Sequence, residues 1–564
     1  MKLFGRFNKP ALYLAAVLIL AAILRLWAID RYPAGFTPDE ASFGYDAYSL
    51  IQTGKDQWGD AWPVSFRSFG DYKLPVYTYL AIPSVAAFGL NEFGVRLPSA
   101  IVGILAVYAT YLMTLALFKD KKVALFSSLL LAISPWHLSL SRGAFEANLT
   151  VLFMSLGILA FLKGITSTKW MALSAIFFGI NIFTYHSARL VTPLIFAILV
   201  VMNMNIKAFI KKHWPAIIIF GLFLFAAFAT IASGSGARAA DITIFNPTDK
   251  WMAIFDERYG AVFGGLPYNI ALFFHNKFFA VVPRFIAAYA TYISPQFLFT
   301  QGAGEWTYGM VAGYGVLYLI EIPFVLTSLW FLFKFGLKEK RAISFIVFWI
   351  LVSIIPAALT KGPGYAGNRA AVMMPALQIF SAFGGLALFE ILRKKAGKTT
   401  LVAAYSLACL VSLVFFLEFY RYIAPRTGAE GMLYGRREAM EYVAQQDAEK
   451  YKTVIVSRSL SEPQIFVAFY LKTDPVFYQA ESKDWLRYRE MGVPFVDQLG
   501  EYRLGKFVFK NIDYTNDSKV PNVLIVGKPM EFPDRLIPTK AILYPNQKPS
   551  LYVVDPATVS FIPQ

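Results

Sequence analysis

Apolar residues along this chain gather in long runs, near positions 10–29, 97–118, 123–140, 148–163, 170–184, 190–206, 214–233, 308–335, 341–359, 370–391 and 399–423. A helix of about 20 apolar residues matches the roughly 30 Å hydrocarbon thickness of a bilayer. The pattern therefore predicts an α-helical polytopic membrane protein with about eleven transmembrane helices. A further run, "PVYTYLAIPSVAAFGL" at 75–90, is short and holds Pro83. It is assigned to the membrane surface, because a crossing there would export "KDKK" (119–122) against the tendency of Lys and Arg to stay cytoplasmic. With that choice the loops alternate. Lys2, Arg6, Lys9, "KDKK", "KGITSTK", "KAFIKKH", "KFGLKEKR" and "RKKAGK" fall on the cytoplasmic side. The opposite side receives residues 30–96, "SRGAFEAN", "TYHSAR", the 234–307 connection, "KGPGYAGNR" and everything after about 424. Within 234–307, "NIALFFHNKFFAVVPRFIAAYATYI" reads either as an interfacial helix or as a re-entrant pair.

Past Tyr422 the pattern changes. Charges, Asn and Pro return, and the apolar runs shorten to "TVIVS", "NVLIVG" and "LYVVD", interleaved with a helical stretch around "GRREAMEYVAQQDAEKY". The expected organisation is a transmembrane domain over 1–423, with outer loops at 30–96 and 234–307, followed by an extracytoplasmic α/β domain over 424–564. Composition agrees: 57% of residues are hydrophobic and 16% charged, against about 25% charged in soluble domains. The net charge of +17 comes from short Lys and Arg clusters between the apolar runs, which are topology signals rather than a nucleic-acid surface. One cysteine rules out an internal disulfide and a four-cysteine metal site. The first run is long and no small-residue cleavage site follows it, so it reads as a retained span.

The outer side collects the unusual polar residues. In "TPDEASFGYDAYSL", Thr37 suits an N-cap, Pro38 the first helical position and Glu40 the third, the signature of a capping box. That use leaves Asp39 available. Asp71 and Lys73 follow in "GDYKLPVYTYL"; Arg142 and Glu146 lie four apart in "SRGAFEAN"; His186 and Arg189 open a helix in "TYHSARL"; Asn368 and Arg369 occur in "GNRAAVMMP". Each has an ordinary reading as an ion pair or an interfacial anchor. Together they set cations and carboxylates at one headgroup level of a bundle, where charge is costly and usually functional. Cations bind phosphate, and a carboxylate can deprotonate an attacking hydroxyl. Such a site suits glycosyl transfer from a lipid phosphate.

"FTPDEASFGYDAYSLIQTGKD", the "YKLP" turn and "FGLNEFGVRLPSAIVG" together resemble the membrane glycosyltransferases of the GT-C superfamily, specifically the protein O-mannosyltransferases and bacterial aminoarabinose transferases of glycosyltransferase family 39. The resemblance is strongest over about residues 10–200 and is absent after 424. It implies a GT-C fold and an inverting enzyme of the plasma (inner) membrane with an extracytoplasmic active site. The implied donor is a polyprenyl-phosphate sugar; the implied acceptor is a hydroxyl of a glycan, lipid or protein. The family's first-loop acidic residue corresponds to Asp39, with Glu40 beside it, so these two are the candidate catalytic residues, Asp39 as base and Glu40 mainly holding the loop. The family's phosphate-binding Lys corresponds to Lys73, although Leu74 stands where the family usually has a first Pro. Arg142, Arg189 and Arg369 are the further candidates for the donor phosphate, and Asp71, Glu146 and His186 complete the polar site. No cofactor is required by this reading; were a divalent metal used, Asp39, Glu146 and His186 would be its candidate ligands. The alternatives are a lipid or sugar transporter, which would more often show paired repeats, and an O-antigen-type polymerase or ligase, which would lack the "DE" after the first span.

Overall fold

A computed structural model of the chain describes residues 9–232, 243–245, 250–335, 341–360, 366–446, 449–488, 490–493 and 496–561. Lys2 and Arg6, much of "KFGLKEKR" and the 361–365 part of the loop before Asn368 lie outside the described residues, as do parts of 234–307.

Among the described residues, eight helices are long and apolar enough to cross a membrane, or nine if one bent pair is a single span. The amino-terminal helices are α1 (Lys9–Leu26), α2 (Pro38–Thr53), α3 (Pro75–Phe88), α4 (Glu92–Phe118), α5 (Lys121–Ile133), α6 (Pro135–Arg142), α7 (Leu149–Gly164), α8 (Thr168–Ile182), α9 (His186–Asn203) and α10 (Ile206–Thr230). The bent pair is α5 and α6, which meet at 57° where Ser134 ends one helix and caps the next and Pro135 takes its first position. α1 and α8 are shorter apolar helices in the places where the pattern predicts spans. α3 has 14 residues, about 21 Å at 1.5 Å per residue, less than the hydrocarbon thickness.

Two expectations from the apolar pattern are revised. The run beginning at 308 becomes regular α-helix only at Ile322–Phe335. Before it, Gly302, Gly304, Gly309 and Gly313 adopt φ between 61° and 86°, a left-handed backbone that ends helix wherever it occurs. Conversely, Tyr268–Thr300 forms a helical stretch of 33 residues with the length and apolarity of a crossing. The remaining long helices are Arg341–Ala358, Ala376–Ala396 and Lys398–Gly428.

The carboxy-terminal region is mixed α/β. Two-residue strands β1 (Phe66–Arg67) and β2 (Tyr72–Lys73) form a hairpin in the first loop. The later strands are β3 (Thr453–Ser457), β4 (Tyr502–Leu504), β5 (Phe507–Lys510), β6 (Val523–Gly527), β7 (Leu536–Ile537), β8 (Lys540–Leu543), β9 (Pro549–Val554) and β10 (Ser560–Phe561). Six of them make one sheet in the order β4-β5-β3-β6-β9-β8. β3 runs parallel to both neighbours and the outer pairs are antiparallel. Residues 454–456 of β3 and 523–526 of β6 are buried Val, Ile and Leu, as expected of a strand covered on both faces.

This region grips the first loop. The Gln479 amide donates to Ser49 Oγ, Thr53 Oγ1 and the Asp56 carbonyl at 2.9–3.1 Å. Tyr45 donates to the Thr473 carbonyl at 2.9 Å, and Val496 N–H to the Phe69 carbonyl at 2.9 Å. The Phe36 and Phe469 rings pack with centroids 4.9 Å apart.

Inside the membrane domain one ion pair gathers several segments. The predicted capping box is present: Thr37 accepts from Glu40 N–H and Glu40 accepts from Thr37 N–H. The fully buried Glu40 carboxylate also accepts from Arg96 Nε at 2.8 Å, from a second Arg96 nitrogen at 3.1 Å and from Ala144 N–H at 2.9 Å. Arg96 spends its other donors on the carbonyls of Ile29, Pro33 and Gly35. Removing one member of such a pair leaves an uncompensated buried charge, which costs about 3–5 kcal/mol. Glu40→Gln is expected to lose that amount of unfolding free energy, and Arg96→Lys, which keeps the charge but not the planar fork, to lose less than Arg96→Ala. Thermal unfolding of the purified variants checks this; wild-type midpoints in Glu40→Gln would remove the pair from its anchoring role.

Candidate active site

A cavity of about 300 Å³ opens at the α2 end of the bundle. Into it converge Asp39, Asp71, Tyr72, Lys73 and Glu146, the Tyr185–Ser187 turn, Tyr308, and Asn368 with Arg369. Each is placed by a short local device.

Asp39 sits in the first turn of α2, just inside the Thr37 cap, where unpaired N–H groups favour an anion. Lys73 closes the β1–β2 hairpin, opposite Phe66. Pro75 starts α3 two residues later with Leu74 as its extended cap, so the Lys-Leu-Pro stretch serves as strand end and helix start. The Lys73 stem is buried, with its ammonium 4.8 Å from the Phe43 ring centre and 5.8 Å from that of Phe69. That sleeve aims Nζ at Asp39: it lies 2.8 Å from Oδ1 and 3.4 Å from the Asp39 carbonyl. The pair is lopsided, Lys73 being 6% exposed and Asp39 46%. The carboxylate side is the one open to a ligand.

Glu146 opens a single turn of 3-10 helix, Glu146–Asn148, that leads into α7. It stands two residues beyond Ala144, whose N–H is held by Glu40, so one buried carboxylate fixes the loop that carries another. His186 opens α9, its Nε2 3.3 Å from the Tyr72 carbonyl. Arg369 lies in the short helix Gly367–Ala370, whose Asn368 N–H donates to Glu305 Oε2 at 2.8 Å.

The structure thus brings together Asp39, Asp71, Lys73, Glu146, His186 and Arg369 from the residues singled out in the sequence. Three others are elsewhere. Glu40 is saturated by the donors described above and does not line the cavity. Arg142 is buried between α6 and α1, where it donates to the carbonyls of Leu24 and Trp27, and is a staple between helices rather than a phosphate ligand. Arg189, one turn into α9, donates to Thr230 Oγ1 at 3.0 Å and packs on the Phe183 ring. Among the described residues no group of three or more His, Cys, Asp or Glu side chains is arranged to hold a metal ion, so Asp39, Glu146 and His186 are not a preassembled ligand set. Residues not foreseen are Tyr185, Tyr308 and Glu305. Their signal, aromatic and acidic residues between apolar runs, is too common to single them out.

The architecture is that of the GT-C membrane proteins. It superposes on the crystal structure of ArnT from Cupriavidus metallidurans bound to undecaprenyl phosphate with a TM-score of 0.52 over 97% of this chain and 98% of that one, at 13% identity. The family profile described as dolichyl-phosphate-mannose-protein mannosyltransferase matches residues 73–231. In sequence, the chain is 27% identical over 215 residues to the undecaprenyl phosphate-alpha-4-amino-4-deoxy-L-arabinose arabinosyl transferase of Pseudomonas savastanoi pv. phaseolicola, covering 36% of this chain and 35% of the relative. The alignment thus spans about a third of that relative's length. Fold, family profile and relative together make this chain similar to the mannosyltransferases and aminoarabinose transferases that share the GT-C fold.

Burial raises several carboxyl groups outside the spans. Glu305 is pushed from 4.5 to about 7 by desolvation, which the Asn368 N–H only partly offsets. Asp56 rises to about 6 for the same reason, and buried Asp46 rises through desolvation and the neighbouring Asp56. A raised carboxyl binds a proton in the folded state that the unfolded chain has released. Its contribution is therefore full below pH about 4.5 and lost as the pH rises through about 7, up to about 3 kcal/mol for a shift like that of Glu305. The protein is expected to melt higher at pH 5 than at pH 8, and Glu305→Gln to shrink that difference, as read by thermal unfolding in detergent. An unchanged difference would show that Glu305 titrates normally.

Proposed function

We propose that the protein moves a glycosyl group from a polyprenyl-phosphate donor to a hydroxyl acceptor, inverting the anomeric centre, at the extracytoplasmic face of the inner membrane. The observation that carries this reading is the meeting of Lys73 and Arg369 with Asp39, Asp71 and Glu146 in one cavity at the end of a helical bundle. Support comes from the relative, whose name specifies an undecaprenyl-phosphate sugar, and from the structural neighbour, whose crystal holds undecaprenyl phosphate.

In this reading the acceptor oxygen attacks the anomeric carbon from the side opposite the phosphate. The new carbon–oxygen bond forms as the bond to the phosphate oxygen breaks, with its electron pair left on the phosphate. Lys73 and Arg369 stabilise the charge there, and the acceptor proton passes to Asp39. The Lys73–Asp39 pair adds an order of events. A donor phosphate competes with Asp39 for the ammonium, so donor arrival releases the carboxylate that the next step uses. The acceptor is a glycan, lipid or protein hydroxyl.

Asp39→Asn keeps the shape of the cap but cannot take a proton. Turnover is expected to fall about 10² to 10⁴-fold, with donor binding unchanged or tighter because Lys73 has lost its competitor. Lys73→Ala is expected to weaken donor binding by about 1.5–3 kcal/mol. Isothermal binding of the polyprenyl-phosphate sugar beside a radiolabel-transfer assay separates the two, and near-normal turnover in Asp39→Asn would defeat the proposed base.

The proposed sidedness has its own check. Cys409 is buried, so an introduced cysteine reports its own exposure. A cysteine at Asn516 is expected to react with an impermeant thiol reagent added to intact cells, and one at Asp120 to stay unlabelled; the reverse result would invert the topology.

A further inference from the structure

A second cavity, of about 510 Å³, lies between the first loop, the end of helix Lys398–Gly428 and the start of the carboxy-terminal domain. It shares no lining residue with the Asp39 cavity. Beside it, along α1 and the end of Lys398–Glu418, runs a groove of about 420 Å³ whose walls are almost wholly apolar, among them Ile23, Leu24, Trp27, Val414 and Leu417. Arg421 and Tyr422 line both spaces. A hydrocarbon-lined channel therefore ends in a polar chamber, at the level where α1 leaves the bundle.

The chamber is cationic in a specific way. Five arginines line it, Arg31, Arg421, Arg426, Arg436 and Arg437, against three carboxylates, Asp30, Glu92 and Glu438. Asp30 is 3.7 Å from Arg31, and Glu92 is taken by Arg437 at 3.5 Å and by the Tyr470 hydroxyl at 2.9 Å. Arg421 and Arg426 make no side-chain hydrogen bond or ion pair among the described residues. The Arg421 guanidinium lies 4.7 Å over the Tyr32 ring and 5.1 Å over that of Tyr422, an arrangement that fixes its plane yet leaves its N–H fork unspent. Arg436 is 4% exposed and has no ion-pair partner among the described residues; it donates to the carbonyls of Tyr434 and Leu460 and interacts with the Tyr544 hydroxyl. Three arginines thus line the chamber without a carboxylate of their own, an excess of cationic charge that suits an anion. Arginine forks match phosphate oxygens in pairs, and basic pockets beside transmembrane helices suit anionic lipid headgroups.

We infer that this chamber and groove form a binding site for a bilayer phospholipid with an anionic headgroup, its phosphate held by Arg421, Arg426 and Arg436 and an acyl chain laid along α1. Two sides of the headgroup would then touch different parts of the chain, Arg421 from the membrane domain and Arg436 from the soluble domain. The lipid is a bridge between them, apart from the donor cavity and independent of what that cavity does. The groove's own carboxylate, Glu418, is exposed and leaves the chamber end to the arginines.

Native mass spectrometry of the full-length protein, presented with phosphatidylglycerol and phosphatidylcholine of equal chain length, tests the site. The anionic lipid is expected to be retained preferentially. Arg421→Gln combined with Arg426→Gln should lower its retention about tenfold or more, and Val414→Trp, which fills the groove, should lower it too. Arg393→Gln with Lys394→Gln, at the far end of Ala376–Ala396, should leave it unchanged. The inference fails if the two lipids are held equally, if the arginine pair can be removed without loss, or if the distant pair costs as much. It also fails if glycerol 3-phosphate competes as well as the whole lipid, since the chamber would then be a soluble-anion site and the groove incidental.

Discussion

The arrangement of the candidate site rests on the buried contact between Glu40 and Arg96. Water cannot compensate either charge there, so each has collected every available partner: the carboxylate takes two guanidinium contacts and two backbone N–H groups, and the guanidinium takes three carbonyls besides. An isolated ion at that position would cost several kcal/mol. The cost is offset only when four separate stretches come together: the start of the first loop around residues 29–35, the cap of α2, the first turns of α4 and the turn before Glu146. The side chains that face the cavity are neighbours of this knot. Asp39 precedes Glu40, and Glu146 follows Ala144 by two residues.

The buried cations divide by what surrounds them. Arg25 and Arg142 direct their terminal nitrogens mainly to backbone carbonyls: Arg25 donates to Ala21, Leu131 and Ala132 and meets His137 Nδ1 at 2.8 Å, and Arg142 donates to α1. They tie α1 to α5 and α6 at the bend where Ser134 interrupts the helix and carbonyls are exposed for capture. Lys73 has no comparable set. Two aromatic rings lie near its ammonium, and its strong partner is a single half-exposed carboxylate, an interaction that a better anion can replace. The same type of charge is thus structural where several carbonyls hold it and available where one exchangeable carboxylate does.

Much of this was legible in the residues, and the failures have physical reasons. The cap at "TPDE" was readable because N-cap, Pro and Glu occupy fixed positions relative to one another, and the separation of Asp39 from Glu40 followed from it. The strands "TVIVS" and "NVLIVG" were readable because buried parallel strands are continuously apolar. The pair β4–β5 in "EYRLGKFVFK" was not, because its alternating charges match an exposed loop equally well. The partners of Arg142 and Arg189 were not legible because sidedness says which end of a span a charge occupies, not which helix it faces; Arg142 turns to α1 and Arg189 to α10. Arg96 was passed over although it lies four residues into a 27-residue helix, where an unpaired cation would be untenable. That position was the available clue. The glycine-rich stretch before Ile322 was counted as span because hydropathy averages see composition and not the backbone angles glycine permits.

The hold of the carboxy-terminal region on the first loop bears on how the molecule is made. Ser49, Thr53 and Asp56 leave the ribosome more than 400 residues before Gln479, the side chain that ties them together. Until then α2 has only its own cap and the β1–β2 hairpin its own pairing, without the later residues that pack on Phe36 and bond to the Phe69 carbonyl. A chain halted before about residue 470 would carry Asp39, Lys73 and Glu146 yet lack the contacts that complete their loop. The contacts that order the first loop around Ser49, Thr53 and Asp56 therefore form only after residues near the far end of the chain have been made.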